Sequence, residues 1–453
     1  MTYAPARRAP SRPVLAKHPR NSDPAAGATT GQPTGPPRPG FRDVFAVREF
    51  RAIWASVVLS VSGDRLALVA LTLLVYDHTR SPLLTAMTYA AGYLPWVIGG
   101  LFLADIADRR PRRTVMISCD AARALLVTAM ILPGVPIIAL VALLFATTMF
   151  SPPFEAARAA ITPDILTGER YALGAAVIQT TYLTAEVAGA AGGGVAVAFL
   201  GVRPSLIIDA ATFAASGILI ALGTRARPAA TTDTPQLSPL ARSAAGLRLV
   251  FGDRALRTLV LIGLLVVFYT VPQGIAAPYA ARLGGGPVAT GLVLASTALA
   301  TAVGTPLFTR FVRPRRRLAL MCPLATATCA ILLLTAFHPG LAISLVIFSA
   351  SAAAGAYQIA ANTAFVQRTP VDRRSQAFAI GGMSIVVGQG IGFVAAGAAA
   401  QLASPALVIA IAGGIGTAAG LALTIIWRRI DPHGGRHAAR RRQAAPKPAA
   451  IPG

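Results

Sequence analysis

The stretch Gly100-Leu-Phe-Leu-Ala104-Asp105-Ile-Ala-Asp108-Arg109-Arg110-Pro111-Arg112-Arg113 ends a long apolar run on four arginines, and a second apolar run begins immediately after it. A helix needs about 20 apolar residues to cross the hydrocarbon core of a bilayer. Working outward from this stretch, the same event recurs along the chain. Between Phe41 and Arg429 about twelve such runs can be drawn, at approximately 53–76, 83–103, 114–132, 136–154, 173–200, 203–222, 258–280, 289–309, 318–337, 340–362, 377–400 and 405–427. Arginine crowds into every second connection and almost vanishes from the others. The odd connections hold only Arg80, Arg203 and Arg282. The even ones hold Arg109, Arg110, Arg112 and Arg113, then Arg158 and Arg170, then six arginines from Arg225 to Arg257, then Arg310 to Arg317, then Arg368, Arg373 and Arg374. Short arginine-rich loops stay cytoplasmic, so the even loops and both termini are expected inside. The expected fold class is all-α integral membrane.

Composition excludes a water-soluble domain: 55% of residues are hydrophobic, 13% are charged, and the mean hydropathy is +0.62. The net charge of +24 would suggest nucleic acid in a soluble chain. Here the bases lie in tails and inner loops, where anionic lipid headgroups attract them, and no nucleic-acid partner is expected. Lysine occurs only as Lys17 and Lys447 among abundant Arg, Ala and Gly, as in a high-GC bacterial genome. The expected location is therefore the bacterial inner membrane. Cys119, Cys322 and Cys329 all fall inside expected spans without a CxxC pair, so neither a disulfide framework nor a metal site is indicated. Residues 1–40 lack the apolar core of a secretory signal and read as a disordered basic cytoplasmic arm, and 431–453 as a similar tail.

The chain also repeats itself at an offset of about 200 residues, the internal symmetry that transporters often retain. Gly304-Thr-Pro-Leu-Phe-Thr-Arg-Phe-Val-Arg-Pro314-Arg315-Arg316 follows span 8 as residues 100–113 follow span 2, and Arg368-Thr369-Pro370-Val371-Asp372 follows span 10 as Ile161-Thr162-Pro163-Asp164 follows span 4. The expected organisation is two pseudo-symmetric six-helix halves, 41–223 and 258–430, joined by a cytoplasmic linker at 224–257.

On these residues the chain resembles the major facilitator superfamily. The loop after span 2 is similar to that family's inner-loop signature, with Asp108, Arg109, Arg112 and Arg113 at its acidic and basic positions. Ala104 stands where Gly is usual, and Phe311 replaces the acid in the second copy. Gly63-Asp64, Asp120 with Arg123, and Ile208-Asp209-Ala-Ala-Thr-Phe213 resemble bacterial exporters related to the enterobactin exporter and macrolide efflux proteins. The run Gly189-Ala-Ala-Gly192-Gly193-Gly194 is similar to the antiporter signature of drug exporters, with Ala190 in place of its usual Pro. The resemblance implies proton-coupled export, by a monomer, of a small amphipathic compound such as an antibiotic or siderophore. It implies no cofactor.

A charge at the bilayer centre costs roughly 2.5–3.5 kcal/mol on insertion scales, so it faces a cavity or a partner. Asp64 and Arg65 in span 1 and Glu186 in span 5 are such charges. On span 1, Ser56, Ser60, Gly63 and Ala67 form a small-residue stripe beside Asp64. On span 5, Gln179, Tyr182, Glu186, Gly189 and Gly193 fall within about 80° of one another at 100° per residue. A carboxyl in a low-dielectric cavity has its charged form disfavoured and can bind and release a proton. Asp64 is thus the leading proton site and Glu186 the second, with Arg65 biasing whichever it approaches; a static Arg65–Glu186 pair holding two helices together is the alternative. Asp108, Arg109, Arg112, Arg113, Asp120 and Arg123 are the candidates for a cytoplasmic gate. Gln179, Tyr182, Tyr269 and Gln389 are the cavity candidates, and Asp209 is expected to be hydrogen-bonded for structure. Pro272, Pro278, Gly381, Gly388 and Gly392 offer kinks and close packing.

Rival classes lack their residues. No His/Asp cluster, Ser nucleophile motif or phosphate-binding Gly loop suggests an enzyme, and no folded soluble domain suggests a receptor. Import of a small metabolite remains the alternative within transport, because direction does not follow from fold.

Overall fold

The computed structural model describes residues 40–102, 110–227 and 239–430. Among the described residues, eleven helices are long and apolar enough to cross a membrane. Span 1 is Arg48–Thr79, span 3 Arg112–Ile131, span 4 Ile137–Ile165, span 5 Glu169–Leu200 and span 6 Val202–Gly223. In the second half, span 7 is Arg254–Gly274, span 8 Pro287–Phe311, span 9 Arg316–Phe337, span 10 Leu341–Arg368, span 11 Gln376–Leu402 and span 12 Pro405–Ile430. The expected span 2 is present as two shorter helices, Pro82–Ala90 and Pro95–Phe102. Pro95 explains the break, since proline disfavours helical geometry at the residue before it.

Local chemistry sets the ends. Span 1 stops at Arg80, which takes the left-handed conformation (φ 51°). Ser81 then accepts from the Leu84 amide at 3.3 Å and Pro82 opens the next helix. Asp253 caps span 7 by accepting from the amides of Ala255 and Leu256 at 2.7 and 2.9 Å. Span 4 breaks at Phe150 and restarts at Ser151 with Pro152 and Pro153 in its first turn. The restarted helix runs to Ile165, beyond the expected end at 154. Arg158, expected in a loop, is therefore a side chain of the bundle. Span 7 is the most broken: its helices Arg254–Gly263, Val266–Tyr269, Val271–Gly274 and Ala276–Arg282 step around Pro272 and Pro278. Between spans 6 and 7 a further helix, Pro239–Gly252, sets Gly246 against Ile380 and Gln376 at the start of span 11.

The packing repeats with a shift of six spans. Span 1 packs on spans 5 and 6, span 3 on span 6 and span 2 on span 4. Span 7 correspondingly packs on spans 11 and 12, span 9 on span 12 and span 8 on span 10. The two halves meet through span 2 on span 11 and span 5 on span 8, which the same shift exchanges. The fold is thus an all-α membrane bundle of two pseudo-symmetric halves.

The inter-half contacts concentrate at the end of the bundle away from the linker. There Gln401 donates to the Ser81 hydroxyl at 2.9 Å, and Gly194 of span 5 lies against Gly291 of span 8. A methyl on Gly194 would stand 2.6 Å from the Pro287 carbonyl and 2.8 Å from the Gly291 Cα. Small residues allow such backbone approach in a medium where apolar burial alone does not drive helix association. The buried residues of span 8 run from Ala289 to Thr297 and stop there, so the far end is the closed one.

Candidate functional site

A central cavity of about 330 Å³ lies beneath this closed end. Among the described residues its charged lining comes from the first half, through Asp64 and Arg65 of span 1 and Asp209 of span 6. Tyr182 of span 5 and Tyr93 of span 2 add hydroxyls, while the second half contributes only Val386 and Gln389 from span 11. Of the expected cavity residues, Tyr182 and Gln389 are in place. Gln179 and Tyr269 are corrections. Gln179 is exposed, one turn nearer the linker end. Tyr269 packs edge-on to Tyr357 with its hydroxyl against Gly355, because the break at Thr270 turns it into the second half's own core.

Aromatic rings roof the cavity. Tyr89 and Tyr93, one turn apart, both meet Phe393 edge-on, at centroid distances of 5.1 and 5.3 Å. Phe393 fits there because Gly274 has no side chain: a Cβ would stand 2.7 Å from its ring. Gln273 accepts from Tyr89 at 3.5 Å and donates to Thr297 at 3.1 Å, so one amide ties the roof to span 8.

The two expected partners on spans 1 and 5 do meet: Arg65 and Glu186 are 3.6 Å apart, with 30% and 41% of their side chains exposed. The glycine at 189 makes room for the pair, since a Cβ there would stand 2.6 Å from the Arg65 Cβ. One turn of span 5 closer to the linker, Tyr182 donates to Glu155, which also accepts from Arg158 Nε and Nη2 at 3.0 and 2.6 Å. The guanidinium of Arg158 lies over the Tyr182 ring. Sequence reasoning missed Glu155 altogether. The signal available was its spacing of three residues from Arg158 behind Pro152-Pro153, which marks a helix start.

Asp120 and Arg123 are enclosed within the bundle of the first half. They are 0% and 2% exposed and 3.8 Å apart. Arg123 donates to Ser60 of span 1 at 3.0 Å, and its guanidinium is sandwiched between the rings of Phe154 and Phe213 at 5.3 and 5.2 Å. Asp120 accepts from Ser216 of span 6 at 2.6 Å. The Ser56, Ser60, Gly63 and Ala67 stripe is buried, and Gly63 faces the Asp209 carboxylate and the Thr212 hydroxyl.

Asp209 is buried beside Thr212 of its own span. It is 1% exposed, and neither carboxylate oxygen has a hydrogen-bond partner among the described residues. The nearby Thr212 hydroxyl donates instead to the main-chain carbonyl of residue 209, at 2.7 Å.

At the linker end, Arg112 pairs with Asp164 at 2.5 Å and donates to the Ala160 carbonyl at 2.8 Å. Arg113 donates to the Ala221 carbonyl. These contacts tie span 3 to spans 4 and 6 within one half, about two helical turns from Asp120. Asp108 and Arg109 lie outside the described residues. The six gate candidates therefore do not form one described network.

A family model described as Major Facilitator Superfamily matches residues 53–350 and 273–451. No curated protein matches the chain. Among solved structures, it is similar to a POT family transporter in complex with a thioalcohol-conjugated peptide (TM-score 0.67, 13% identity, 87% of this chain and 98% of that one). It is also similar to the nucleoside transporter NupG (0.64, 13%, 84% and 99%). A third is a bacterial homologue of the human lysosomal transporter Spinster, in an inward-facing and unoccupied conformation (0.60, 15%, 85% and 95%). At these identities the likeness is one of fold.

Proposed function

We propose a transport function for this chain, which belongs to the major facilitator superfamily: proton-coupled export of a small amphipathic compound by alternating access. The observation that carries the reading is the central cavity, where Asp64 stands among the helices of the first half and faces an uncharged wall from span 11. Carboxylates supply the proton chemistry, because His78 and His338 fall at span ends and the other histidines in the tails. Arg65 lies against Glu186, so the carboxylate it biases is Glu186, and Asp64 is left as the leading proton site.

With even loops and termini in the cytoplasm, the closed far end is the outer one. The cycle then alternates this arrangement with one in which the Gly194–Gly291 and Tyr89–Phe393 contacts separate. The surface contacts of Arg112 and Arg113 travel with the first half as a rigid unit.

The test is accumulation of dyes and antibiotics in an efflux-deficient bacterium expressing the chain. Export predicts lowered accumulation, restored to the level of cells lacking the protein by Asp64→Asn or by a protonophore. Retained pumping by a folded Asp64→Asn variant would remove that residue from the mechanism. Import of a small metabolite is the second reading, favoured by the fold shared with a POT family transporter bound to a peptide conjugate and with a nucleoside transporter. It predicts raised accumulation of the transported compound in the same assay.

A further inference from the structure

Away from the span ends, spans 1 to 6 carry five carboxylates, Asp64, Asp120, Glu155, Glu186 and Asp209, and three guanidiniums, Arg65, Arg123 and Arg158. Arg158 is held by Glu155 and Arg65 by Glu186, while Arg123 sits beside Asp120. Among the described residues, the acids of this set without an ion pair are Asp64 and Asp209.

These two acids are neighbours in space. Gly63 precedes Asp64 on span 1, and its missing side chain is the notch that admits the Asp209 carboxylate. Both residues line the central cavity. The charged groups facing Asp209 are Asp64 from span 1 and Arg123 from span 3, and Asp120 of span 3 lies against Gly217, two turns further along span 6. Arg123 is already engaged by Ser60, Asp120 and two aromatic rings. From span 6 itself, the Thr212 hydroxyl turns to the main chain. Asp209 is thus a fully buried carboxylate without an ion pair or a well-formed hydrogen bond to either oxygen among the described residues, beside a Thr212 hydroxyl close enough to interact with it. An isolated ionised carboxylate in such a place carries a large desolvation cost, and a bound proton removes it.

We propose that Asp209 is a proton-binding carboxyl of the transport cycle, exchanging its proton with the cavity through Asp64. The step moves one proton between two carboxyls: the O–H bond on Asp209 breaks as one forms on Asp64, and no electron is transferred. Arg123 is its fixed counter-charge and Gly63 keeps the two acids adjacent. The inference rests on the coupling reading above, so its test uses neither substrate nor transport.

The experiment is infrared spectroscopy of the full chain in lipid, titrated from mildly acidic to mildly alkaline pH, for wild type, Asp209→Asn and Asp64→Asn. A carboxylic-acid carbonyl band should be present at neutral pH, fade as pH rises, and lose a component in Asp209→Asn. In Asp64→Asn the band should persist with its titration displaced. Loss of an ionised-carboxylate band instead in Asp209→Asn would overturn the proposal, as would an acid band that never titrates. Displacement of the band by sodium but not by choline at fixed pH would overturn it in favour of a sodium site. If Asp209→Asn fails to fold, labelling of wild type with dicyclohexylcarbodiimide, which reacts with protonated carboxyls, decides. An adduct at Asp209 that declines with rising pH supports the proposal, and none at any pH overturns it. A chain that exports nothing but shows this band would sink the export reading and leave the proton site standing.

Discussion

The first half of the molecule keeps eight charged side chains away from its span ends, whereas the corresponding stretches of spans 7 to 12 contain no Asp, Glu, Lys or Arg. The two halves share one packing scheme, so the charges are not a requirement of the fold. The second half solves the same packing problem with Gly, Ser, Thr and breaks at Pro. Gly388 and Gly392, for example, let Leu264 and Val267 of span 7 approach span 11. What the comparison teaches is a division of labour, in which one half holds ions and the other supplies a neutral wall and a broken, adjustable helix.

The sharpest way to break that comparison is to remove its central cation. Arg123→Leu leaves Asp120 buried without its cation, and removing one partner of a buried pair typically costs about 3–5 kcal/mol. Thermal unfolding of the purified protein should show a large loss of stability, with part of it recovered in the Asp120→Asn/Arg123→Leu double variant. An unchanged unfolding temperature would mean that the charges of the first half are dispensable for its stability.

The interface between the halves gives the next largest effect. Gly194→Leu cannot coexist with the Gly291 contact, and should shift the equilibrium away from far-end closure by about tenfold or more. Labelling of a cysteine placed at Ser81 by a membrane-impermeant maleimide should rise accordingly, while uphill transport falls. Equal labelling in both backgrounds would show that the glycine contact is not what closes that end.

Two milder substitutions compare the walls directly. Gln389→Ala removes one polar group from the neutral wall, worth about 0.5–1.5 kcal/mol. It should raise the half-saturating substrate concentration a few-fold without uncoupling transport, so loss of proton dependence would place coupling chemistry in the second half as well. The smallest change in stability is expected from Glu186→Gln. The Arg65–Glu186 pair is partly exposed at 3.6 Å and such pairs contribute roughly 1 kcal/mol or less; a severe loss of folded protein would show that it is a structural clamp.

Much of this architecture was legible beforehand. The spans follow from apolar length and the two halves from the repeated loops, and an intramembrane charge such as Asp64 reads as facing a cavity or a partner. The misses share a cause, which is that charge marks a residue as costly without saying what surrounds it. Arg158 reads equally well as a loop charge or as the partner of a helical Glu155. Asp120 and Arg123 look like surface residues near a span end until spans 4 and 6 bring Phe154, Phe213 and Ser216 around them. Asp209 reads as a hydrogen-bonded structural acid, and only the tertiary arrangement shows it in the notch left by Gly63, beside Thr212. Tyr269 was displaced by a helix break whose direction Pro272 does not specify.

The hydrogen bond from Ser216 to Asp120 joins residues 96 positions apart, and this separation bears on how the protein is made. Span 3 leaves the ribosome carrying both Asp120 and Arg123, each costly to place in lipid, while Ser216 arrives only with span 6. During that interval the nascent span holds an incompletely satisfied charge pair in the bilayer. A chain truncated before span 6 is therefore expected to present an incompletely satisfied charge pair to the cell's insertion and quality-control machinery, whereas the same cut in the second half strands no such pair.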